Sequence, residues 1–188
     1  MTDAILGPMS DWQPTAIDGV LRASVPVSED LRGSFTELWR ASRWEDVAGG
    51  RFVQANLSRS APGVLRGMHF HRRQADLWIL VDGRATVAVC DIRPLLDDET
   101  AKAETLILEM APGDAVLIPE SVAHGFHAPE QMSLVYFVTN EYDGSDELGF
   151  RWDDADAGIA WHVHDPILSA RDAANPSLRS AVRTLREP

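Results

Sequence analysis

The sequence predicts an all-β protein built as an antiparallel sandwich or barrel, and three observations carry that expectation. Its apolar segments are short, closely spaced and separated by Gly, Pro and Asp, the pattern of strands joined by tight turns. Leu77 to Val81 and Ala85 to Cys90 flank Asp82-Gly83, and Asp-Gly between apolar runs is a strong short-range hairpin signal. A histidine pair, His69 and His71, leads directly into that hairpin. Rigid sheet holds ionisable side chains in place better than loops do.

Taken in order, Met1 to Thr15 reads as a loose lead-in and Leu21 to Val27 as a strand. Glu29 to Gly33 turns the chain, and Ser34 to Trp39 continues as strand. Ala41 to Val47, with Trp44, is expected to form a short helix. Arg51 to Ser58 places Phe52, Val53, Ala55 and Leu57 in near alternation, which suits a half-buried strand. Pro62-Gly63 opens the central stretch that runs to Arg93. Thr105 to Met110 is a further strand, Pro112-Gly113-Asp114 a turn, and Ala115 to Ile118 and Ser133 to Thr139 two more strands. Ala155 to Ser169 is irregular, and Ser177 to Arg186 has the makings of a terminal helix.

At 188 residues the chain is long enough for one domain with a real core. Its 45% hydrophobic and 24% charged content is that of an ordinary globular protein. A net charge of −12 argues against nucleic acid as a partner, which needs a basic surface. It leaves room for an anionic small molecule held by a local arginine cluster. The lone cysteine, Cys90, lies in an apolar strand and reads as a buried structural thiol. The N-terminus has no basic region followed by an apolar core, and no apolar run approaches membrane-spanning length. No membrane association and a cytoplasmic location are expected. The single lysine, Lys102, sits in a polar connection, so an active-site lysine is not expected.

The histidines form the first constellation. Side chains two apart on a strand share a face, so His69 and His71 project together. Asp76 follows, and His124 arrives from a second stretch, Gly113 to Phe126. This resembles the cupin pattern, in which a histidine pair and an acid are followed by Gly, Pro and His, here Gly113, Pro119 and His124. The resemblance implies that His69, His71, Asp76 and His124 could hold a divalent metal. A solvent-facing His71 with no such role is the plainer alternative.

A closer resemblance covers nearly the whole chain, from about Ile17 to Leu178. Six motifs occur in order: DLRGSFTE (Asp30 to Glu37), VLRGMHF (Val64 to Phe70), IPESVAHGF (Ile118 to Phe126), YFVTNEY (Tyr136 to Tyr142), GFRWDDADAGIAW (Gly149 to Trp161) and LSARDAANP (Leu168 to Pro176). Together they resemble the dTDP-4-dehydrorhamnose 3,5-epimerase family, of cupin jelly-roll fold. The resemblance implies one domain over residues 1–188, with a lead-in at 1–15, N-terminal strands and arm at 16–60, a jelly-roll core at 61–142 and a C-terminal extension with short helices at 143–188. It implies a dTDP-4-keto-6-deoxyhexose substrate, no cofactor and a homodimer. Protons at C3 and C5 of that sugar are acidic because both carbons neighbour the C4 ketone. Epimerisation needs a base, an acid on the other face of the ring and stabilisation of the enolate oxygen. By this resemblance His69 is the base, Asp172 its orienting carboxylate and Tyr136 the acid. Arg32, Phe35 and Glu37 fall on the family's nucleotide-contacting arm. Gln54, Asn56 and Tyr142 fall on ligand contacts and Arg66 on a pyrophosphate-binding arginine, whose planar fork suits phosphate, while Arg171, beside Asp172, is expected to add charge there. Core packing for Tyr136 and surface ion pairs for the arginines are the alternatives.

One departure stands out. The family carries a lysine shortly after the base histidine; here the stretch reads Gln74-Ala75-Asp76-Leu77. An anion beside an enolate opposes its formation. Three resolutions are open: Asp76 pairs with Arg72 or Arg73 and faces away; a protonated His71 supplies the positive charge; or His69, His71, Asp76 and His124 hold a metal that polarises the ketone. In the last case His69 would be a ligand and not the base. His71, Asp76 and His124 are therefore candidate sugar contacts on the leading reading. A metal-dependent cupin enzyme and a nucleotide-sugar-binding protein without catalysis are the rivals.

Overall fold

The computed structural model describes residues 11–41 and 51–186. The helix expected at Ala41 to Val47 falls, beyond Ala41, outside the described residues, as does most of the lead-in. The strands are β1 (Gln13–Pro14), β2 (Leu21–Ser24), β3 (Val27–Asp30), β4 (Gly33–Thr36), β5 (Gln54–Ser60), β6 (Leu65–Phe70), β7 (Asp76–Asp82), β8 (Ala85–Asp91), β9 (Glu104–Met110), β10 (Asp114–Ile118), β11 (Val122–His127), β12 (Met132–Val138) and β13 (Leu148–Gly149). Among the described residues three short helices follow: α1 (Arg93–Asp97), α2 (Ala170–Ala173) and α3 (Leu178–Arg186). One sheet has the order β1-β2-β10-β7-β12-β5 and the other β13-β6-β11-β8-β9. All the strand ladders are antiparallel. This is the jelly-roll sandwich that the sequence led us to expect.

The core fills the space between the sheets. Trp78, Leu80, Val116, Ile118 and Leu134 of the larger sheet meet Val87, Val89, Val122 and Phe126 of the smaller. The outer face of each sheet is covered as well. Leu77, Ile79, Ala115 and Leu117 pack under Phe52 and Trp39, whereas Ala88, Cys90 and Ala123 pack under Phe150, Trp161 and α3. Double coverage is why β7 and β8 read as continuous apolar runs instead of alternating ones. Helix α3 contributes Leu178, Ala181 and Val182, a spacing that lines up one face of a helix. Burial pushes the Cys90 thiol up to about 12, with Asp91 and Asp154 adding to the effect, so it is an inert packing group.

Two expectations are corrected. The strand expected over Leu21 to Val27 is broken at Val25-Pro26, because Pro26 has no N–H for a ladder. The chain then forms a separate β3–β4 hairpin, with Asp30 facing Gly33, that pairs with neither sheet. Strand β11 was not foreseen, although it lies between β6 and β8 and bonds to both.

Candidate active site

A cavity of about 370 Å³ opens between the sheets, walled by β5, β7 and β12 on one side and by β6 and β11 on the other. Its size suits a small ligand. Most of the side chains singled out from the sequence converge on it: Gln54, Asn56, Arg66, His69, His71, Asp76, His124, Tyr136 and Tyr142.

Strand β6 delivers two of them through a bulge. On β11, His124 opposes His69 and Phe126 opposes Arg66, with a register shift between. Strand β6 therefore takes three steps where β11 takes two. The extra residue turns Arg66 and His69, which simple alternation would set on opposite faces, into the same cavity. Gly67 absorbs the distortion at φ +127°, and a Cβ there would lie 2.7 Å from the Cα of Gly125. Only glycine tolerates both that angle and that approach.

His69 Nε2 lies 2.6 Å from Asp172 Oδ1, across 103 positions of sequence. Asp172 sits on α2, where the Ser169 hydroxyl caps the helix by accepting the Asp172 N–H at 3.0 Å. Burial, the largest influence on the Asp172 carboxyl, raises its pKa. The bond to His69 and further bonds from Ser169 and the Gly67 N–H outweigh it, so the group is held below its ordinary range. A neutral His69 that donates Nε2–H to this carboxylate keeps Nδ1 as its basic nitrogen.

Tyr136 stands on β12, in the opposite sheet, between Trp78 and Asn56. Burial raises its pKa, Asp76 and Glu147 raise it further, and Arg66 opposes them. The phenol accordingly keeps its proton at neutral pH and can donate it. The Arg66 guanidinium touches the Ser60 hydroxyl at 3.2 Å and the Arg59 carbonyl at 3.5 Å. Among the described residues no carboxylate pairs with it. Gln54 donates to Asn56 Oδ1 and accepts the Tyr142 N–H, each at 3.0 Å, which ties the exposed Tyr142 to the cavity rim.

His71, Asp76 and His124 form a second group within the same cavity, all three buried. Asp76 accepts from the Gln74 side chain at 2.8 Å and from the Trp78 indole at 3.2 Å. Arg72 and Arg73 turn instead to Asp146, and Arg73 also to Asp143. The possibility that Asp76 pairs with one of these arginines and faces away is thereby ruled out. His71 Nδ1 lies 3.0 Å from the Asp146 carbonyl, and His124 Nδ1 lies 3.2 Å from the Val122 carbonyl. Burial pushes His124 down to about 4, with Asp76 opposing and the neighbouring histidines reinforcing the shift.

The remaining candidates lie elsewhere. Arg32 pairs with Asp30 on the β3–β4 hairpin, Phe35 of the same hairpin is exposed, and Glu37 bonds to Arg40 just beyond it. Arg171 donates to the Glu147 carboxylate at 2.8 Å and to its carbonyl at 3.0 Å.

A family model for dTDP-4-dehydrorhamnose 3,5-epimerase matches residues 14–180. The chain belongs to the dTDP-4-dehydrorhamnose 3,5-epimerase family. It is 36% identical over 178 residues to the dTDP-4-dehydrorhamnose 3,5-epimerase of Salmonella typhimurium, covering 90% of this chain and 96% of that one. It is also 36% identical over 153 residues to the spore coat polysaccharide biosynthesis protein SpsL of Bacillus subtilis, covering 78% and 97%. Among solved structures it is similar to the dTDP-6-deoxy-D-glucose-3,5-epimerase of Legionella pneumophila Philadelphia 1 in complex with dTDP-4-keto-L-rhamnose. That similarity has a TM-score of 0.78 at 31% identity and covers 91% of this chain and 93% of the other.

Two residues of this epimerase-family site escaped the sequence reading. Glu147 lines the cavity. Burial raises its pKa most, but the bond from Arg171 and the proximity of His71, Arg171 and His69 outweigh that and hold it below the carboxylate range. Asp146, buried, fastens the chain after β6 by accepting the Arg72 and Arg73 N–H groups at 3.1 Å each. Both lie in an acid-rich loop where nothing in the sequence separates them from Asp143 or Glu141.

Proposed function

We infer that this chain epimerises a dTDP-linked 4-keto-6-deoxyhexose at C3, C5 or both. The observation that carries the reading is the placing of the His69–Asp172 pair and Tyr136 on opposite walls of one cavity. His69 Nδ1 removes the proton alpha to the C4 ketone, and Asp172 stabilises the imidazolium that forms. The electron pair moves onto the ketone oxygen as an enolate. Tyr136 then gives its proton to the other face of the same carbon, and exchange with solvent restores both groups. Arg66, free of any carboxylate partner among the described residues, holds the pyrophosphate; Gln54, Asn56 and Tyr142 contact the sugar and nucleotide. The exposed Phe35 and Arg32 on the separate hairpin suit an arm that reaches the neighbouring subunit's nucleotide, which makes the enzyme a homodimer. Among the described residues no helix is long and apolar enough to cross a membrane, in keeping with a cytoplasmic enzyme.

Solvent deuterium exchange into dTDP-4-keto-6-deoxyglucose tests this reading. Wild-type protein is expected to introduce deuterium at C3 or C5. His69→Ala should slow this by roughly 10²- to 10⁴-fold, the usual contribution of a general base. Tyr136→Phe should retain exchange while losing the inverted product. Binding without exchange by the wild type would favour a nucleotide-sugar-binding protein, a reading to which the anion at Asp76 lends some support. Full-rate exchange by His69→Ala would refute the base assignment.

A further inference from the structure

We propose that His71, Asp76 and His124 form a binding site for one divalent first-row metal cation in the wall of the sugar cavity, separate from the His69–Asp172 pair. Their ligand atoms all lie within 4.8 Å of one another, and all three residues are buried. His69 does not join them: among the described residues neither of its ring nitrogens falls within that group, and its Nε2 is committed to Asp172. The four-residue metal set considered from the sequence therefore becomes three residues, and a metal and a catalytic His69 are compatible.

The tautomers argue for a cation. An imidazole nitrogen beside a carbonyl oxygen must carry the proton, since two lone pairs would otherwise face each other. The Asp146 and Val122 carbonyls fix the proton on Nδ1 of both rings. Both Nε2 atoms are then bare acceptors, and each ring has a nitrogen within 4.8 Å of the buried Asp76 carboxylate. His124 Nε2 is 3.7 Å from Asp76 Oδ2, too far for a hydrogen bond and near enough for both to reach one ion. Among the described residues neither Nε2 meets a hydrogen-bond donor. Among the described residues three acceptors converge with no Arg or Lys side chain bonded to them, and carbonyl-oriented histidines of this kind are the usual support of metal ligands.

The dimensions agree. With metal–ligand bonds of about 2.0–2.2 Å at tetrahedral angles, ligand atoms sit about 3.3–3.6 Å apart. The His124–Asp76 pair, at 3.7 Å, is close to this, and since no pair in the group exceeds 4.8 Å, none needs to close by more than about 1.5 Å. Two imidazoles and one carboxylate suit zinc, iron, cobalt or nickel better than magnesium or calcium. Three protein ligands leave a coordination position open to the cavity. A bound cation would supply Lewis-acid charge near the ketone oxygen, where Asp76 alone would oppose an enolate. That role rests on the function proposed above; the binding itself does not.

Chelator-treated full-length protein titrated with Co²⁺ alone tests the site, followed by visible absorption and by calorimetric competition with Zn²⁺. One equivalent should bind and give a ligand-field band. Asp76→Asn and His71→Gln, each checked for folding by circular dichroism, should weaken binding by more than the roughly 10- to 100-fold that follows loss of a supporting outer-shell group. His69→Ala should bind as the wild type does. No uptake by folded wild type, unchanged uptake in both ligand variants, or loss of uptake in His69→Ala would each overturn the proposal. Metal binding without deuterium exchange would leave the site standing and remove the epimerase reading; exchange at full rate without any metal binding would do the reverse.

Discussion

Replacing Asp172 by Asn keeps the size of the side chain and removes its charge. In the native site that charge meets His69 Nε2 at 2.6 Å in a buried setting. A hydrogen bond to a charged group contributes about 1.5–3 kcal/mol. Here most of it should appear only as His69 gains its proton, because the carboxylate then faces an imidazolium rather than a neutral ring. At about 1.4 kcal/mol per decade, losing it should slow proton abstraction roughly 10- to 150-fold. Substrate affinity should change little, since Asp172 lies behind the histidine. The assay is deuterium incorporation at saturating dTDP-sugar, read by NMR, with a binding isotherm for dTDP alongside. A rate within twofold of wild type in the folded Asp172→Asn protein would mean that the carboxylate only holds the ring in place, and the charge argument would fail.

Gly67→Ala should destabilise the protein by roughly 2–5 kcal/mol, from backbone strain at positive φ and from overpacking against Gly125. Urea unfolding measures this, and a loss below about 0.5 kcal/mol would show that β6 relaxes without cost. Metal-free protein should lose stability on acidification from about pH 6.5 to about 4, because His124 is held neutral at a value near 4 in the fold. The unfolded chain binds the proton first, so stability falls with pH across that window, by on the order of 3 kcal/mol in total. In a His124→Asn variant the slope should flatten, and an unchanged slope would place the acid sensitivity elsewhere.

What could be read in the sequence depended on whether local pattern and tertiary role agreed. The β7–β8 hairpin was legible because Asp82-Gly83 interrupts two apolar runs, and Gly83 does take the positive φ of 75° that such a turn requires. Strand β11 was not, because His124, Gly125 and His127 break the apolar pattern. Its strand character comes from the ladders on both sides. The separation of Arg66 from His69 argued against a shared face, since the bulge that joins them depends on a close approach of Gly67 to Gly125. Asp172 was reachable only through a motif, for no local property of Ala170 to Ala173 announces a partner for a distant histidine. The anion at Asp76 was visible, but the carbonyls that orient its two imidazole neighbours belong to backbone that sequence patterns do not describe.

His69 and Tyr136 are anchored on different sheets, so the width of the cavity they share, which on the proposed function must fit a hexose, is set by the thickness of the filling between them. Leu80, Val87, Val89 and Leu134 act as spacers. Trimming one of them by a methyl group would let the walls settle toward each other by a fraction of an ångström. Variants with altered turnover or sugar preference can therefore arise at apolar positions that never touch the ligand, and a search confined to the cavity lining would miss them.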